Sequence, residues 1–142
     1  MKTLIILITF ITITYSQQNS KEIVGFWKPE NLNDIIEIYE ENGMFYGKVA
    51  IHIQEADSTL PDKSLQILSN FKFDGEDTWE DGTIHIIKKE KEIDGEITLK
   101  EDGNINVEGS IAFFSKSFTW IRLNTEKIKK IIESKKVKIR NN

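Results

Sequence analysis

The sequence predicts an all-β domain: an up-and-down antiparallel meander of about eight strands that closes into a small barrel, followed by a short C-terminal helix. Three observations carry this. Runs rich in Ile, Val, Phe, Tyr and Trp alternate with polar residues, the pattern of strands with one dry and one wet face. Turn chemistry separates them at Glu41-Asn42-Gly43 and Glu101-Asp102-Gly103, where Asn and Gly accept positive φ. Gly47, Gly95 and Gly109 fall on the apolar faces of their strands. Glycine weakens a strand there unless the sheet must bend or another group must come close. Closure also removes the exposed edges of an open meander.

Taken in order, the first strand is expected at about Val24–Lys28 and the second at Ile35–Glu40. The third is Met44–Ile53, with Phe45, Gly47, Val49, Ile51 and Ile53 on one face. Residues 54–65 form the longest loop, with Pro61-Asp62 as its turn, and the fourth strand is Gln66–Phe73. An acidic loop, Asp74-Gly75-Glu76-Asp77, leads past Trp79 and Gly82 to a fifth strand at Thr83–Lys88. The sixth is Glu92–Lys100, the seventh Asn104–Phe113 and the eighth Ser117–Leu123. The period then changes. Asn124 or Thr125 can cap a helix, Glu126 suits its first turn, and Ile128, Ile131 and Ile132 share one face, so a helix is expected over about Glu126–Lys135.

Ahead of this domain stands a leader. Met1-Lys2 precedes an uncharged apolar run from Thr3 to Tyr15, about 13 residues, and Thr14-Tyr15-Ser16 supplies small residues at an exit. A spanning helix needs about 20 residues, so residues 1–16 read as a cleaved signal peptide rather than an anchor. No cysteine follows the run, which excludes a lipid-anchored lipoprotein. The organisation expected is a signal peptide at 1–16, a β-barrel domain at 17–123 and a basic helical tail at 124–142. The chain contains no Cys at all, so the barrel must fold on its apolar core alone, and thiolate chemistry is excluded.

Charge is unevenly spread. Residues 17–125 hold 11 Lys and Arg against 21 Asp and Glu, whereas residues 126–142 hold 7 against 2. An acidic body repels nucleic acid, so no nucleic-acid partner is expected. The basic tail suits either weak contact with a membrane surface or, more simply, docking on the barrel through its three isoleucines. A monomer is expected.

Gly25-Phe26-Trp27 on the first strand and Thr119-Trp120-Ile121-Arg122 on the last are distinctive together. A Gly-x-Trp opening strand with an Arg on the closing strand resembles the calycin barrels, the lipocalins and fatty-acid-binding proteins. That resemblance implies that Gly25, Trp27, Trp120 and Arg122 close one end of the barrel, with the guanidinium packed across an indole. The wider order adds Ile38-Tyr39, Gly43-x-x-Tyr46-Gly47-Lys48-Val49, Ile67-Leu68, Trp79-x-x-Gly82-x-Ile84 and Val107-x-Gly109. Over about residues 24–123 this set resembles the bacterial domain of unknown function 2147, a family of small exported proteins. The resemblance implies a lipocalin-like barrel and export to the periplasm or beyond, and no known reaction. One stretch departs from the family: Ile84-His85-Ile86-Ile87-Lys88-Lys89 stands where members carry Ile-Tyr-Asp-Pro, then a Gly and a Tyr.

The sequence holds no nucleophile elbow, HExxH, P-loop or dinucleotide fingerprint, so no enzyme and no cofactor are expected. His52 and His85 fall on wet faces without metal-ligand spacing, and the acidic loop does not fit the EF-hand, so no metal is expected. Tyr39, Tyr46 and Trp79 have apolar bodies and polar tips and are the candidates to line a ligand cavity or its rim. Two functions follow. One is a barrel that binds a small apolar or amphipathic ligand, since eight strands just hold one such molecule. The other is a solid barrel working through its surface or basic tail.

Overall fold

The structure, a computed structural model, describes residues 20–54 and 57–141; the expected leader lies outside the described residues. Among the described residues, nine strands and a C-terminal helix follow in chain order. They are β1 (Gly25–Pro29), β2 (Asp34–Glu41), β3 (Met44–Ile53), a two-residue β4 (Ser58–Thr59), β5 (Gln66–Phe73), β6 (Thr78–Ile86), β7 (Lys91–Leu99), β8 (Ile105–Ile111), β9 (Phe114–Arg122) and α1 (Thr125–Arg140). A 3₁₀ turn at Ile87–Lys89 links β6 to β7. Every pairing is antiparallel. The order β2-β1-β9-β8-β7-β6-β5-β3, with β2 also paired to β3, closes eight strands into a barrel, and β4 only extends the end of β3.

The closed meander matches the expectation, and three elements differ from it for local reasons. β6 starts at Thr78 rather than Thr83. Asp81 takes a φ of 57° and acts as an extra residue against β7, so the polar Glu80-Asp81 step stays within the strand. The last turn falls at Ala112-Phe113, not beyond Phe113. Ala112 has a φ of 51°, so β9 begins at Phe114. α1 runs on to Arg140, and Asn124 is its cap, its Oδ1 accepting from the Lys127 N–H at 2.9 Å.

A bulge also redirects one face. Ile35 pairs with Ile51 but Ile36 with Val49, so Ala50 is the extra residue. Ile51 therefore leaves the face of Phe45 and Val49 that alternation gives it. It joins Phe26, Ile35 and Ala50 on the outer wall, where Ile128 of α1 covers them, flanked by Ile131 and Ile132. The tail helix thus docks on the barrel. Lys135 secures its far half: its Nζ donates to the Ser58 carbonyl and lies 3.5 Å from the Asp57 carboxylate. The Ser58 N–H and then the Lys135 charge hold that carboxyl below the usual range.

The interior core runs through Trp27, Ile36, Ile38, Phe45, Phe71 and Trp79 on one side and through Ile97, Ile105, Val107 and Trp120 on the other. Its packing depends on a row of glycines. Gly82 pairs with Gly95 and Gly95 with Gly109, so the three lie side by side across β6, β7 and β8. A Cβ at Gly82 would stand 2.3 Å from the Phe71 ring, one at Gly95 2.7 Å from Ile84, and one at Gly109 2.5 Å from Ile93. The missing side chains make the space that Phe71, Ile84 and Ile93 fill, and packing this dense does not absorb extra methyls. Gly82→Ala is expected to destabilise the protein by about 1–3 kcal/mol in urea unfolding. Phe71→Leu in the same chain should recover part of that loss, and two costs that simply added would show that the contact does not matter.

Candidate functional site

The two ends of the barrel are built differently. At one end, Trp27 on β1 stands directly across from Arg122 on β9, so both side chains face the same way. The indole is fully buried and the guanidinium carbon lies 4.3 Å from its ring centre. Trp27 Nε1 donates to the Ile23 carbonyl at 2.9 Å. Arg122 donates from Nε to the Gly103 carbonyl at 3.1 Å and from Nη2 to the Glu22 carbonyl at 2.7 Å. Burial lowers the Arg122 pKa and the Glu22 carboxylate opposes that shift. Gly25, with a φ of 145°, brings the chain beside Thr125. Trp120, buried, packs below. These four residues come together as a plug, tying the lead-in, the first strand, the β7–β8 turn and the last strand.

The three ligand candidates do not converge. Trp79 is fully buried against Phe45 and Phe73, and its Nε1 donates to the Ser20 carbonyl at 3.1 Å. Tyr39 and Tyr46 pair across β2 and β3 on the outer wall. Their rings stack at 5.7 Å, Lys48 Nζ sits 4.9 Å over Tyr39, and their hydroxyls donate to Gln66 Oε1 and Asn70 Oδ1. Both histidines have partners; His85 lies on the outer wall, whereas His52, one residue past the outward Ile51, falls with Asp34 on the inner face at the open end. His52 Nδ1 meets Asp34 Oδ1 at 2.7 Å, while His85 meets the Ser69 hydroxyl at 2.7 Å and Glu92 at 3.1 Å.

The other end is open. There the β6–β7 and β8–β9 hairpins run past β1, which pairs with β9 only from Trp120 to Arg122. Beyond the glycine row, strand register puts Ile84, Ile93, Ile111 and Phe114 on the inner face, with Lys116 level with the row and Phe118 just below it. Ile84 and Phe118 still pack against the core, whereas Ile111 is 43% and Phe114 83% exposed. Lys116 Nζ lies 5.0 Å over the Phe118 ring. On the outer side of the same hairpins is an open groove of about 400 Å³ between Thr83, Glu92, Asp94 and Ser110; its polar lining does not suit an apolar molecule. The apolar mouth was hidden in the sequence because Ala112-Phe113 carries no turn residue. Two adjacent phenylalanines between Ile111 and Ser115 are the signal that could have marked it.

With this geometry in view, the comparisons agree on the fold. The sequence matches, over residues 25–122, the family described as "Uncharacterized protein conserved in bacteria (DUF2147)". The chain belongs to the DUF2147 family. Among curated proteins, none matches it. A solved structure described as "Protein HP1028 from the human pathogen Helicobacter pylori belongs to the lipocalin family" is similar in fold. It has a TM-score of 0.64 at 20% identity, over 76% of this chain and 87% of that one. The DUF2147 match begins at Gly25 and ends at Arg122, so it runs from one side of the plug to the other.

Arg122→Ala is expected to lower stability by about 2–3 kcal/mol, combining a desolvated cation–π contact with orphaned carbonyls. Trp fluorescence through a denaturant titration measures it. Arg122→Lys should recover less than half, because an ammonium lacks the planar fork; full recovery would mean that charge alone matters.

Proposed function

We propose that this DUF2147 protein is an exported, non-enzymatic barrel that binds a small amphipathic molecule at its open mouth, not deep in its interior. The observation that carries the reading is the division of the barrel. Phe71 on the glycine row fills the floor, and the apolar inner face continues above it, exposed, to Ile111 and Phe114. An apolar tail would lie along Ile84, Ile93, Phe114 and Phe118. Lys116 stands among them as the partner for an anionic head group. The lipocalin-like fold is consistent with such a ligand. The leader at residues 1–16 supports export, and the lack of Cys suits folding in either redox compartment.

The filled floor favours a second reading, that of a solid barrel acting through its surface. Titration with dansyl-undecanoate, a fluorescent fatty acid, separates the two. The mouth reading expects saturable binding of one molecule per chain, weakened about tenfold or more by Phe114→Asp and unaffected by Tyr39→Ala. Absence of saturable binding, together with native mass spectra free of any co-purifying lipid-sized mass, would leave the solid barrel.

A further inference from the structure

Among the described residues, ten large apolar side chains are exposed, and eight of them lie at the open end. Single exposed apolar residues are ordinary, but this concentration is not. Phe113, at the β8–β9 tip, is 102% exposed, and Phe114 beside it 83%. Ile87, 44% exposed, stands on the neighbouring β6–β7 tip. α1 leaves the plugged end at Asn124, passes Phe26 and Ile35, and reaches Ser58 through Lys135. Its last turn therefore extends toward the open end, carrying Val137 and Ile139 at 53% and 65% exposure.

Charge divides along the same axis. The hairpins at this end carry Lys88, Lys89, Lys91 and Lys116 against Glu90, Glu92 and Asp94, and the last turn of α1 carries Lys138 and Arg140 with no acid. The turns at the plugged end are acidic: Glu40 and Glu41 flank one, Asp74, Glu76 and Asp77 form the next, and Glu101-Asp102 the third. The plugged end is thus acidic, while the two hairpin tips and the end of α1 carry a local excess of cations, set apart from Glu30, Asp34, Asp57 and Asp62 in the other two turns of the open end.

We infer that the open end docks on an anionic lipid bilayer, with Phe113, Phe114 and Ile87 entering the interface and the flanking lysines meeting head groups. Three separate apolar projections with cations between them suit a fluid surface. A folded protein partner requires a continuous, shape-matched patch, which this end lacks. The acidic plug is repelled from the same surface, so docking has one orientation. Only the far end of α1 takes part, because Ile128, Ile131 and Ile132 are spent on the barrel wall. The inference stands whether or not a ligand occupies the mouth.

The absence of Cys makes a positional test clean. In the full chain, a single cysteine carrying an environment-sensitive fluorophore is placed at the mouth by Ala112→Cys or at the plug by Glu101→Cys. Both sites are exposed. With phosphatidylglycerol vesicles, the label at 112 should shift to the blue and brighten severalfold, and the label at 101 should not change. Phosphatidylcholine vesicles, or high salt with phosphatidylglycerol, should give little response. Lys88→Glu, Lys89→Glu and Lys116→Glu combined should weaken vesicle binding about 100-fold or more, at about fivefold per lysine. A silent label at 112, an equal response at 101, or equal binding to the neutral vesicles overturns the inference. A response at 112 to a protein extract but not to protein-free vesicles does so too, in favour of a protein partner.

Discussion

Arg122 holds the barrel shut. The seam between β1 and β9, which closes the meander, has only three opposed pairs, Trp27 with Arg122, Lys28 with Ile121 and Pro29 with Trp120. Three opposed pairs are little to join the ends of a meander. The stack of Arg122 on Trp27 adds a contact that does not depend on the ladder, and its two hydrogen bonds reach the lead-in before β1 and the turn after β7. One side chain thereby joins three segments far apart in sequence. It does so as a planar cation whose face covers an indole and whose edge still points donors outward.

Plugging one end determines what the other can be. Two tryptophans, Trp27 and Trp120, together with Trp79 fill the lower barrel, and the glycine row lets Phe71, Ile84 and Ile93 close over them. Because β1 is short, the inner faces of β8 and β9 have no wall opposite them beyond Phe118. What would be core in a longer barrel becomes a half-open apolar mouth. Charge follows the same layout: the turns at the plugged end are acidic, while the two open hairpins and the end of α1 carry clustered lysines. The proposed ligand mouth and the proposed docking surface are therefore one and the same end of the barrel.

Much of this was legible in the sequence. Strand bounds at Met44–Ile53 and Gln66–Phe73 coincide with β3 and β5, because clean alternation runs between turns with strong chemistry. The resemblance to the calycin barrels singled out Gly25-x-Trp27 and Arg122, and the structure brings Trp27 and Arg122 face to face. The bulges at Ala50, Asn70 and Asp81 were not readable. Each inserts one residue, and everything beyond it changes face, which is how Ile51 passed from the interior to the helix side. The separation of Tyr39 and Tyr46 from Trp79 also depends on which face each strand turns inward. The mouth was the least visible feature, since the exposure of Phe113 and Phe114 comes from how far their hairpin outruns β1.

The central claim is that the molecule is sealed at the Trp27–Arg122 end and works at the other. Amide hydrogen exchange of the full chain, with and without an anionic amphiphile, tests it in one measurement. The account expects residues 27, 28 and 120–122 to exchange slowly in both states, and residues 86–93 and 111–118 to exchange fast alone and slow when the amphiphile is added. Fast exchange along the β1–β9 seam, or new protection appearing at the plug and not at the mouth, would contradict it.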